Sequence, residues 1–142
     1  MLNADYPAAH MNLGNLYLER GEYDRAAASY KKAIEIEPAF IPGYINFADV
    51  YRAQNQDEKG KSILLHTLDI APESASAHHA LGLLMIRTGG QKEALHHLRK
   101  ASTREPENAR YSYVYGVALN SLEMSGQAIS VLRKALIHNP YD

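Results

Sequence analysis

The chain has 142 residues, six more than four times 34, and its 15 Lys and Arg against 16 Asp and Glu give a formal charge of −1. That balance lacks the basic footprint of a phosphate-backbone binder, so no nucleic-acid partner is expected. The absence of cysteine excludes thiol catalysis, thiolate zinc sites and a disulfide framework, and leaves cytoplasm and periplasm equally open.

Met1-Leu2-Asn3-Ala4-Asp5 has no basic region running into an apolar stretch, so no signal peptide is read there. From Leu13 onward, apolar residues recur at three- and four-residue steps: Leu13, Leu16, Tyr17, then Ala26, Ala27, Tyr30, Ala33 and Ile34. That step is helical. Arg20-Gly21-Glu22 interrupts the two stripes, and Pro38 closes the second. The same order follows three more times. Breaks fall at Gln54-Asn55-Gln56, Thr88-Gly89-Gly90 and Met124-Ser125-Gly126, and Pro38, Pro72, Pro106 and Pro140 stand 34 residues apart. The longest apolar run, residues 80–86, contains Gly82 and falls far short of the roughly 20 residues that span a bilayer, so no membrane partner is expected.

Four blocks result, residues 7–40, 41–74, 75–108 and 109–142, each read as two helices joined by a tight turn. Their columns agree. A small residue at Gly14, Ala48, Gly82 and Gly116 follows a large one at Leu13, Phe47, Leu81 and Tyr115 and precedes Tyr17, Tyr51, Met85 and Leu119. Second helices repeat Ala26, Gly60, Ala94 and Ala128, then Tyr30, Leu64, Leu98 and Leu132, then Ala33, Thr67, Ala101 and Ala135. Small columns let paired helices approach, and large ones fill the gap.

Across residues 7–142 this order of large, small, aromatic, Ala, aromatic and Pro resembles the tetratricopeptide repeat family. Where that family often carries Trp, this chain has His10, Tyr44, His78 and Ser112. The resemblance implies an all-α fold, an α-solenoid of antiparallel helix-turn-helix repeats wound into a right-handed superhelix, here one domain over residues 1–142. It also implies that first helices line a concave, peptide-binding surface. Positions not used by the core columns are then the groove candidates. They are Met11, Asn12, Asn15, Leu18 and Glu19, then Ile45, Asn46, Asp49 and Arg52, then His79, Leu83, Ile86 and Arg87, and last Arg110, Tyr113, Val117 and Asn120.

Asn12 and Asn46 occupy the column where superhelical members of the family carry an asparagine ladder, and a carboxamide offers donors and an acceptor to a peptide backbone. Ala80 and Val114 end the ladder. Asn15 and Asn46 also match the asparagines of the family's carboxylate clamp for chaperone tails. Met11, Ser76 and Ala80 replace its cations, so chaperone-tail binding is not expected. Residues 1–74 carry 7 basic and 11 acidic side chains, and residues 75–142 carry 8 and 5. An extended ligand with oppositely charged ends would find complementary fields, although cations late in second helices, such as Arg99, Lys100, Arg104, Arg133 and Lys134, also suit the helix dipole.

Other chemistry is weaker. Lys59-Gly60-Lys61-Ser62 lacks the first glycine and the strand of a phosphate-binding loop. His78-His79 and His96-His97 with Glu93 have no third fixed ligand, so no metal or other cofactor is expected. No nucleophile-base-acid order appears, so no catalytic residue is assigned. The leading reading is a non-enzymatic protein-interaction module, and the alternatives are a substrate-recruiting arm of a larger enzyme or self-association into homo-oligomers. Ile129, Leu132, Leu136 and Ile137 on the last helix pair motivate the last. Residues 1–6 fall in register with the end of a preceding repeat, which reads as a fragment of a longer array.

Overall fold

The computed structural model describes residues 6–138. Residues 1–5, read as a preceding repeat's tail, and Pro140 lie outside them. Among the described residues eight helices follow one another: α1 (Pro7–Glu19), α2 (Tyr23–Ile36), α3 (Ile41–Ala53), α4 (Asp57–Ile70), α5 (Ala75–Thr88), α6 (Gln91–Arg104), α7 (Ala109–Ser121) and α8 (Ser125–His138). No described helix is long and apolar enough to cross a membrane.

The chain divides into two compact units, Met1–Pro72 with α1 to α4 and Glu73–Asp142 with α5 to α8. In each, successive helices pack together, and in the first α1 also touches α3. The core of the first unit gathers Ala26, Tyr30, Phe47 and Val50, and that of the second gathers Leu98, Tyr115, Ala118, Leu119 and Ala128. The small column exists because of the large column facing it. A Cβ added to Gly14 would lie 2.6 Å from the Tyr30 ring, and one added to Gly82 would lie 2.6 Å from Leu98.

Leu13 departs from its column. It is 41% exposed, whereas Phe47, Leu81 and Tyr115 are 8% or less. The reason is positional: Phe47 packs on α2 and Tyr115 on α6, while Leu13 has no earlier described helix to meet.

The turn inside each pair recurs with the period. Gly21, Asn55, Gly89 and Glu123 all have positive φ, 73°, 59°, 92° and 61°. The next residue's N–H reaches back to a helix carbonyl each time: Glu22 to Tyr17, Gln56 to Tyr51, Gly90 to Met85 and Met124 to Leu119, at 2.8 to 3.0 Å. This left-handed C-terminal closure is what Gly and Asn favour. The fourth break is therefore at Leu122-Glu123-Met124, one turn before the expected Gly126, which lies inside α8. The repeat geometry overrides the local preference, because a break at Gly126 would shift α8 out of register with Gly116. Glu123 bears the steric cost. Glu123→Gly is expected to stabilise the chain by about 1 kcal/mol, read from the urea midpoint.

Helix starts differ between the units. Ser74 and Asn108 accept from the N–H groups of Ala77 and Tyr111, at 3.2 and 3.3 Å. Tyr6 and Phe40, in the same column, cannot cap, and Pro7 and Pro42 in the first turn supply the helical φ instead.

Candidate functional site

In the first unit the first helices α1 and α3 lie side by side, and Tyr30 of α2 reaches up between them. Its hydroxyl donates to Asn15 Oδ1 at 2.6 Å, and Asn46 Nδ2 donates to the same oxygen at 3.1 Å. Tyr30 is fully buried, so its hydroxyl hydrogen needs an acceptor, and an Asn15 amide turned the other way would supply none. The orientation of Asn15 is thereby set. Two groups of the pair have no protein partner among the described residues, the Asn15 Nδ2 donors and the Asn46 Oδ1 acceptor. Burial first, then the carboxylates of Asp49 and Glu19, push the Tyr30 phenol up to about 12, so it stays a donor at any physiological pH.

Around this pair lie two carboxylates and one cation. Glu19 is exposed, and Asp49 accepts an ion pair from Arg52 at 3.0 Å, a surface interaction of small energetic value. Asn12 is exposed and makes no side-chain hydrogen bond among the described residues; the structure joins Asn46 to Asn15 instead. Met11 and Leu18 turn toward the core cluster.

In the second unit, Tyr113 and Val117 of α7 are 61% and 47% exposed, Asn120 and Arg87 are exposed, and Leu83 is half-buried. His79, expected to face a ligand, is instead only 7% exposed. Its ring lies 4.5 Å from that of Tyr111, and neither ring nitrogen has a hydrogen-bond partner. Burial, then the Arg110 charge, lowers its pKa to about 4, so it packs as a neutral aromatic. His97 is half-buried, and its Nδ1 lies 3.0 Å from Nδ1 of His78. Burial, then His78 and His96, lowers it to about 4 as well. Among the described residues no three His, Asp or Glu side chains converge to hold a metal.

Two features escaped sequence reasoning, the Tyr30–Asn15–Asn46 network and the His78–His97 pair. The first had a signal. Asn15 is the one amide in the column Asn15, Asp49, Leu83, Val117, and Tyr30 the one hydroxyl in the column Tyr30, Leu64, Leu98, Leu132.

Residues 7–40 and residues 79–142 each match a model of the tetratricopeptide repeat. The chain belongs to the tetratricopeptide repeat family. Members of this family typically mediate protein–protein interaction. Among relatives of this tetratricopeptide repeat chain, the anaphase-promoting complex subunit CDC16 of Saccharomyces cerevisiae is 25% identical over 84% of the chain and 15% of that protein. The human protein O-mannosyl-transferase TMTC3 is 25% identical over 93% of the chain and 16% of that protein. The chain thus spans about a sixth of the length of these curated relatives. Of solved structures, Pseudomonas aeruginosa pilF superposes with a TM-score of 0.84 at 24% identity, covering 96% of this chain and 62% of that one. That likeness is one of fold.

Proposed function

We propose that this tetratricopeptide repeat chain binds an extended peptide segment of a protein partner along α1 and α3, with the Asn15–Asn46 pair reading the ligand backbone. The observation that carries this reading is the doubly accepting Asn15 Oδ1, which leaves one amide donor edge and one acceptor edge side by side. A ligand carbonyl accepts from Asn15 Nδ2, and the N–H of the same backbone donates to Asn46 Oδ1. Because the contacts are to the backbone, they hold a segment without demanding a particular side chain. Glu19 beside the pair favours a Lys or Arg in that segment, because among the described residues no cation pairs with it as Arg52 pairs with Asp49. In the second unit, Leu83, Tyr113 and Val117 offer apolar contact area.

The test is a peptide-display selection on the whole chain, followed by binding measurements on variants. Asn15→Ala and Asn46→Ala are each expected to weaken selected peptides about tenfold, since each strands a ligand backbone group. Tyr30→Phe frees the Asn15 amide to turn and is expected to weaken them about threefold, with roughly 1 kcal/mol of stability lost. Unchanged affinity in both Asn variants overturns the assignment. A second reading, a recruiting arm within a larger enzyme, takes its support from the match to an O-mannosyl-transferase over 93% of this chain. In both readings residues of the groove bind and none of them catalyses.

A further inference from the structure

Away from the first-helix surface, the second unit holds a cleft of about 300 Å³ lined by Glu73, His78, Arg99, Lys100, Thr103 and Arg104. Its charge is unbalanced. Arg99 and Lys100 have no carboxylate partner among the described residues, and Arg104 has only Glu73, at the outer limit of 4.0 Å. Lys100 and Arg104 stand one helical turn apart on α6, where like charges repel. The helix dipole accounts for Arg104 alone, because its field fades beyond the last turn and Arg104 is the basic residue of that turn. Three cations against one carboxylate leave two positive charges facing a concave surface.

We propose that this cleft binds a phosphoryl dianion, either as free inorganic phosphate or carried on a phosphorylated side chain. Arg99, Lys100 and Arg104 supply charge-assisted donors. Their surplus of two matches the charge of roughly −1.5 to −2 on a phosphoryl group near neutral pH, which a single carboxylate does not. Thr103 donates its hydroxyl hydrogen to the Arg99 carbonyl at 2.9 Å, so it shapes the wall and the cationic groups bind. Glu73 competes with the ligand for Arg104.

The whole chain is titrated with inorganic phosphate, and in parallel with a neutral peptide bearing one phosphoserine and the same peptide unphosphorylated. Binding is followed by amide chemical shifts at near-physiological salt, where diffuse attraction is screened. Saturable shifts around Arg99 and Lys100 are expected. Arg99→Ala with Lys100→Ala should weaken phosphate at least about tenfold, and Glu73→Gln should tighten it about threefold by freeing Arg104. These side chains are exposed, and circular dichroism checks that helicity is kept. Arg133→Ala with Lys134→Ala, on α8, leaves affinity unchanged if the site is local. A tighter phosphopeptide assigns the phosphoryl group to a modified side chain, and a tighter inorganic ion assigns it to free phosphate. No saturable response, an equal response to the unphosphorylated peptide, or equal weakening by the α8 variant overturns the proposal.

Discussion

Leu98→Ala is expected to cost about 3 to 4 kcal/mol, and Gly82→Ala, destabilising alone, is expected to become stabilising in its presence. Leu98 is fully buried in one core cluster with Tyr115, Ala118, Leu119 and Ala128, so truncation opens a cavity in the core of the second unit. In the intact chain a Cβ on Gly82 meets Leu98 Cδ2 at 2.6 Å and Cγ at 2.7 Å, distances at which the buried Leu98 side chain or one of the helices must shift. Helix propensity favours Ala over Gly by about 1 kcal/mol, and overpacking costs about 1 to 3, so the single variant loses up to roughly 2. With Leu98 truncated the clash disappears, the propensity gain remains, and the new methyl fills part of the void. Urea unfolding of the wild type, both singles and the double is expected to give a coupling of about 1 to 3 kcal/mol. Additive behaviour would mean that Gly82 is not there for the approach of Leu98.

Acid is expected to destabilise the chain between about pH 6.5 and pH 4 through His79 and His97, whose pKa values fall from 6.5 to about 4 on folding. The sign follows from proton counting. Above that window both states are neutral at these rings and stability does not depend on them. Within it, the unfolded chain takes up protons that the folded chain refuses, so stability falls with falling pH, and below it the loss is complete. With each ring's contribution discounted for solvent near it, the two together amount to about 3 kcal/mol. His79→Leu isolates one share, because carboxylate titrations cancel in the comparison. It removes two orphaned ring nitrogens, raises stability by about 1 kcal/mol at neutral pH, and should make the pH slope between pH 7 and pH 4.5 shallower. Parallel slopes for the two proteins would show that His79 is not held neutral.

The architecture was legible because it rests on contacts that recur with the period. Gly14 against Tyr30, Gly82 against Leu98 and Gly116 against Leu132 are the same packing event, so size alone in two columns reports it. What recurs less was harder to see. The fourth turn follows its three predecessors at Glu123 although glycine three residues later advertised a break there. Asn12 and Asn46 share a column, yet α1 and α3 bring Asn15 to Asn46, because neighbouring first helices present different columns to each other. His79 and His97 show a further limit. A histidine's residue type does not say whether it is a cation on the surface or a neutral ring in a core, and only packing against Tyr111 or His78 decides that.

The Tyr30 hydroxyl has a consequence for reading direction. By holding Asn15 Oδ1 it makes the two amides inequivalent, with a donor edge on α1 and an acceptor edge on α3. A peptide bond is itself inequivalent end to end. In the binding mode proposed above, a backbone laid across these helices meets matched partners in one sense and opposed ones in the other. One buried phenol thus turns a pair of asparagines into an arrow.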